Sequence, residues 1–166
     1  MSEKPTDVVF GTAQPEEIFG LSGLEMLQKM MARQLPAPTI GRTMNFWMES
    51  VSRGRAVFVG EPNDQLLNPL GGVHGGWVLT LVDSAAGCAA HSTLPAGVGY
   101  ATLETKANMT RPINPDTGAV RAEGLVVAEG RQVITAEVKV RDMRDRILAH
   151  GTSTLLILRP SKGTVE

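Results

Sequence analysis

Between Gly75 and Ala90 the chain reads GGWVLTLVDSAAGCAA, and every side chain there is apolar, small or a hydroxyl except the carboxylate of Asp83. The run is too long for an ordinary strand and holds no proline, so it reads as a helix. A helix that is apolar on all sides belongs inside a protein, not on its surface. Whatever else this chain forms must therefore wrap around it.

Strand-like runs after the helix supply the wrapping. Residues 98–110 alternate, with Ala101, Leu103, Thr105, Ala107 and Met109 on one face and Tyr100, Thr102, Glu104, Lys106 and Asn108 on the other. A PDTG turn at 115–118 leads into a run over 119–128. In the next run Ile134, Ala136, Val138 and Val140 alternate with Thr135, Glu137, Lys139 and Arg141, and a turn at 142–146 precedes the last strand, ILAHGTSTLLIL. Upstream, TMNFWMESVSRGRAVFVGEP reads as a strand pair, with Met44, Phe46 and Met48 alternating and Ser52-Arg53-Gly54 as its turn. Each strand has one apolar face, and the helix is what those faces can cover. The expected architecture is α+β, a curved antiparallel β-sheet wrapped around a long central helix.

Before the strand pair, Ser22 and Glu25 have the spacing of a capping box, so a helix starts at Ser22. Leu24, Leu27 and Met31 share its face, and Pro36 ends the run. Residues 1–21 show little pattern and are expected to be loosely held. The chain thus divides into an N-terminal extension with one helix (1–38), a main domain (39–160) and a C-terminal tail (161–166).

Composition excludes several classes of function. At 166 residues the chain is long enough for one domain with a real core. A net charge of −1 gives no electrostatic reason to expect nucleic acid or an anionic membrane as partner. The N-terminus lacks a signal-peptide pattern and no stretch reaches the length of a membrane span, so a cytoplasmic location is expected. The single cysteine, Cys88, cannot form an internal disulfide and reads as core. His74, His91 and His150 have no metal-ligand spacing, so no metal is expected. His91, near the helix end, is expected to interact with the helix dipole. Trp47 and Trp77 read as packing residues.

Asp83 shares a helix face with Gly76, Leu79, Thr80, Ala86, Gly87 and Ala90, and these mostly small residues leave room for something to approach. A buried carboxylate without partners is costly, so it is either satisfied structurally or used chemically. The segment before the helix, NPLGGVHGG, surrounds His74 with glycines where the loop enters. A helix N-terminus offers unpaired N–H groups and a partial positive charge, and glycine lets a ligand come close to them. The other reading of these glycines is a tight turn with His74 as a local cap.

Asn68, His74-Gly75-Gly76 and Asp83, in this order and spacing, resemble the signature of the hotdog-fold acyl-CoA thioesterases. The similarity is strongest to the PaaI-like branch of the 4-hydroxybenzoyl-CoA thioesterase superfamily. GRQVITAEVKVRDMRDRILAHGTSTLLIL resembles that family's closing hairpin, so the resemblance spans about residues 40–158. It implies a hotdog fold and a hydrolase acting on acyl-CoA with no cofactor. Asp83 matches the general base or nucleophile, and Gly75 the backbone donor that polarises the thioester carbonyl. Asn68 matches a polar side chain that holds the reacting groups, with His74 as its supporting neighbour. Thr102 falls where relatives carry a hydroxyl that positions water. Gly130 and Arg131 lie where relatives touch the CoA moiety, and an exposed turn arginine is the alternative for Arg131. The resemblance also implies a homodimer or dimer-of-dimers homotetramer with shared sites. Two other functions fit the same fold: a non-catalytic acyl-CoA-binding or regulatory protein, and an enoyl-CoA hydratase. The methionines of 24–34 and the Phe46–Met48 strand are candidate walls for an apolar pocket.

Overall fold

The computed structural model describes residues 4–160; the tail assigned to 161–166 lies outside the described residues. At its centre is the apolar segment, helix α4 (Gly75–His91). His74 starts it: its backbone is extended and its ring Nδ1 accepts from the Gly76 N–H at 2.9 Å. Trp77, Leu81, Val82, Ala85, Ala86, Ala89 and Ala90 are fully buried. The Trp77 indole N–H donates to the Met44 carbonyl at 2.6 Å, so packing and a satisfied hydrogen bond account for this tryptophan.

Around α4 curls one antiparallel sheet of β1 (Phe46–Ser52), β2 (Arg55–Gly60), β3 (Gly99–Met109), β4 (Val120–Glu129), β5 (Val133–Asp142) and β6 (Ile147–Leu158). The spatial order is β1-β2-β4-β5-β6-β3, and every strand contacts the helix. On β5 the predicted apolar set, Ile134, Ala136, Val138 and Val140, is buried against α4, as period-2 alternation requires. The sheet comes very close to the helix at Gly124 of β4, where a Cβ would overlap the carbonyl group of Ala85. Gly124→Val is therefore expected to cost about 1–3 kcal/mol through overpacking against backbone. A lowered urea midpoint at unchanged m-value would register it.

One strand departs from simple alternation. In β3, Thr102 pairs with Leu155 and Glu104 with Thr154, so Leu103 is an extra residue without a partner across β6. Such a bulge reverses the parity of the residues on either side of it. Leu103, expected to face inward with Thr105, is 58% exposed, while Thr102 and Thr105 both reach the helix. Met44 likewise lies outside the strand pair, as the C-cap of the short helix α3 (Thr39–Thr43).

The N-terminal segment is held more firmly than its composition suggested. Phe10 bridges Ala37, and the Gly11 and Ala37 N–H groups donate to the carbonyls of Ala37 and Val9. A four-residue helix, α1 (Pro15–Ile18), precedes α2 (Gly23–Met31). Ser22 and Glu25 form the expected capping box on α2. That helix docks on the end of α4: Gly23 N–H donates to the Leu94 carbonyl at 3.0 Å, and any larger residue at 23 would collide with His91. Among the described residues no helix is long and apolar enough to cross a membrane.

Candidate active site

Asp83 sits half-buried midway along α4. Its Oδ1 accepts from the Thr102 hydroxyl at 2.9 Å and from the Thr105 hydroxyl at 3.0 Å. Thr105 is also 3.0 Å from the Ser153 hydroxyl, whose proton has the Glu104 carbonyl, at 2.9 Å, as a further acceptor in reach. Ser153, on β6 directly across from Thr105, is wholly buried. The acid is thus anchored by strand β3, and the bulge at Leu103 is what lets hydroxyls three positions apart reach one oxygen. Alternation assigned Thr102 and Thr105 to opposite faces and concealed this pairing.

Asp83 opens onto a cavity of about 780 Å³. The expected apolar residues line it: Met26, Met30 and Met31 from α2, and Phe46 and Met48 from β1. The N-terminal segment around Phe10 forms a further wall, which the sequence reading missed because little pattern marks it. Trp47 of β1 also lines the cavity. Of the space left by small residues beside Asp83, that at Gly87 is filled by the Tyr100 phenol of the same chain.

The neighbours of the acid stay uncharged. Burial, with a smaller contribution from the Asp83 charge, pushes the Cys88 thiol up to about 12. Burial raises Tyr100 as well, aided by Cys88 and Asp83. Cys88 packs against the core and also lines the cavity, and burial favours its protonated thiol, a poor nucleophile. Cys88→Ala is therefore expected to keep kcat and KM within a few-fold of the parent; loss of turnover at unchanged stability would reopen a thiol mechanism. Burial disfavours the cationic form of His91 that would pair with the helix dipole. Burial pushes it below its ordinary value and its ring rests 5.4 Å from that of Tyr100.

The loop residues form a second cluster. Asn68 Oδ1 accepts from the N–H groups of Leu70, at 2.8 Å, and Gly72, at 3.3 Å, and so shapes the turn into the helix. His74 caps the first turn, and among the described residues no acceptor takes the Gly75 N–H. This cluster is not beside Asp83: the acid lies just over two turns beyond Gly75, about 12 Å along the axis at about 1.5 Å per residue. Gly130 and Arg131 form the β4–β5 turn, where Arg131 is exposed and its carbonyl accepts from Arg159 at 3.2 Å. That turn adjoins the Tyr100 end of β3, because Ile157, the partner of Tyr100, donates its N–H to the Gln132 carbonyl at 2.8 Å. No group of three or more His, Cys, Asp or Glu with metal-binding geometry occurs among the described residues.

A long helix wrapped by one curved antiparallel sheet is the architecture of the hotdog class. The thioesterase superfamily (4HBT) matches residues 70–149, a span that includes His74, Gly75, Asp83, Thr102 and Arg131. An inferred esterase of Saccharolobus solfataricus is 32% identical over 111 residues, which is 66% of this chain and 76% of that one. A thioesterase family protein from Silicibacter pomeroyi superposes with a TM-score of 0.72 at 26% identity, over 83% of this chain and 99% of that one. A Streptococcus mutans protein, solved bound to acetyl-CoA, does so with a TM-score of 0.63 at 28% identity, over 70% and 92%. This chain belongs to the thioesterase superfamily and is a thioester hydrolase.

Proposed function

We propose that the substrates are acyl-CoA thioesters, as in the PaaI-like branch, cleaved to a carboxylic acid and free CoA with Asp83 as general base or nucleophile. The observation that carries this reading is the anchored, half-buried Asp83 carboxylate in the wall of an apolar cavity. An acyl group lying in that cavity brings its thioester carbonyl to the acid. As base, Asp83 takes a proton from water as the water oxygen bonds to the carbonyl carbon. The C–S bond then breaks, and the proton passes to the departing CoA sulfur. As nucleophile, Asp83 displaces CoA to form a mixed anhydride that water hydrolyses. Thr102 positions the acid or its water, and the Gly75 N–H stabilises the oxyanion.

The 12 Å between Gly75 and Asp83 supports a site shared by two copies. Strand β3 is an eleven-residue edge, hydrogen-bonded among the described residues to β6 on one side only, with Leu103 and Met109 exposed. Such an edge invites pairing. Gly75 lies beside Met109 at one end of β3, and Asp83 beside Thr102 and Thr105 towards the other. Antiparallel pairing of two β3 strands brings the Gly75 end of one copy towards the acid end of the next. On this reading Asn68, His74 and Gly75 of one subunit serve the partner's Asp83, in a homodimer or a dimer of dimers. Gly130 and Arg131 meet the CoA moiety, Arg131 through a phosphate.

A panel of aryl- and alkyl-CoA thioesters with a thiol reagent tests this reading. Release of free CoA matched by free acid is the expected result. Tight binding without release would instead indicate a binding protein, and hydration of an enoyl-CoA a hydratase.

A further inference from the structure

We propose that Thr105 and Ser153 form a reversible hydroxyl relay behind Asp83, in which Thr105 is a positioning residue that fixes Oδ1 and leaves Oδ2 to act on substrate. The inference rests on the reading of Asp83 as the acid of the site. Both threonine hydroxyls donate to Oδ1, and among the described residues no hydrogen bond reaches Oδ2. One carboxylate oxygen is therefore held and the other is free.

Proton accounting shows why the relay reverses. A hydroxyl has one proton and two acceptor lone pairs. The Thr105 proton has two acceptors in reach, Asp83 Oδ1 at 3.0 Å and Ser153 Oγ at 3.0 Å. The Ser153 proton also has two, Thr105 Oγ1 and the Glu104 carbonyl at 2.9 Å. While Asp83 is an anion, its charge draws the chain one way: Ser153 donates to Thr105, and Thr105 to Oδ1. Once Oδ2 has taken a proton or an acyl group, Oδ1 is a weaker acceptor. Thr105 then turns to Ser153, and Ser153 to the Glu104 carbonyl. Either direction leaves no hydroxyl proton without an acceptor, so the charge on Asp83 can change without stranding a buried polar group. Only two hydroxyl rotations are needed, and no proton leaves its oxygen. Cys88 and Tyr100, which feel the Asp83 charge, are held in their neutral forms by burial.

Four variants test the relay by kcat and KM on whichever thioester the panel identifies. Thr105→Val removes the donor at nearly constant shape. It is expected to lower kcat about tenfold with KM little changed, because a hydrogen bond that fixes the reacting carboxylate is lost. Thr105→Ser keeps the hydroxyl and should restore kcat. Ser153→Ala is expected to lower kcat less. The double variant Thr105→Val/Ser153→Ala should be no slower than Thr105→Val alone, since Ser153 acts through Thr105. Additive losses, or a folded Thr105→Val enzyme with parental kcat, would overturn the relay. If Thr105→Val does not fold, a Ser153→Ala enzyme with parental kcat does the same. Asp83→Asn, assayed alongside, separates the two levels of inference. If it stays active, the assignment of Asp83 itself fails; if it is inactive while Thr105→Val is normal, only the relay fails.

Discussion

Asp83→Asn is expected to fold normally and to lose about 10²–10⁴-fold in kcat. The amide has the shape of the carboxylate, and its oxygen can still accept from the Thr102 and Thr105 hydroxyls that hold Oδ1. What disappears is the anionic Oδ2, the group that the proposed mechanism uses as base or nucleophile. Thermal denaturation checks that stability is kept, and steady-state thioester hydrolysis reads the loss. Near-parental turnover in the folded variant would remove Asp83 from the mechanism. The neighbouring thiol offers little rescue, since burial keeps Cys88 protonated.

The second large effect concerns assembly. Asn68→Ala is expected to lower kcat more than it raises KM, because a contact that positions or polarises matters most as charge develops. If Asn68 of one subunit serves the partner's Asp83, mixing two inactive variants restores function. A dimer of one Asp83→Asn chain and one Asn68→Ala chain has one site with both defects and one with neither. Random assortment then gives about a quarter of parental turnover. The chains must be co-expressed or refolded together so that they exchange. Mixtures that stay inactive despite demonstrated exchange would mean that each site is built within one chain. The distance along α4 argues against that outcome, since one helix cannot bend a Gly75 N–H back to a carbonyl held at Asp83.

Much of this molecule follows from local patterns. The apolar run Gly75–Ala90 could only be a buried helix, and the alternation of Ile134, Ala136, Val138 and Val140 could only be a strand with one covered face. The capping box of Ser22 and Glu25 and the cap at His74 depend on residues at most three apart. The isolation of Asp83 could be read the same way, because a lone acid on such a helix is conspicuous without any partner.

Its partners could not. A bulge carries no residue signature in β3; Leu103 looks like one more member of an alternating set, and only its missing partner across β6 marks it as an extra residue. That one insertion decides that Thr102 and Thr105 share an acceptor, and the pairing of Thr105 with Ser153, far away in sequence, decides what lies behind them. The cavity is a tertiary product for the same reason. The segment around Phe10 becomes one of its walls through backbone bonds to Ala37 and the close seating of Gly23 on His91, neither of which leaves a periodic trace. The sequence by itself determined the helix, the strands and the acid, because those follow from how each residue sits relative to its near neighbours. Which hydroxyls hold the acid, and which surfaces close around it, only the tertiary structure decided, because those contacts depend on register between distant strands, and register is a property of pairs.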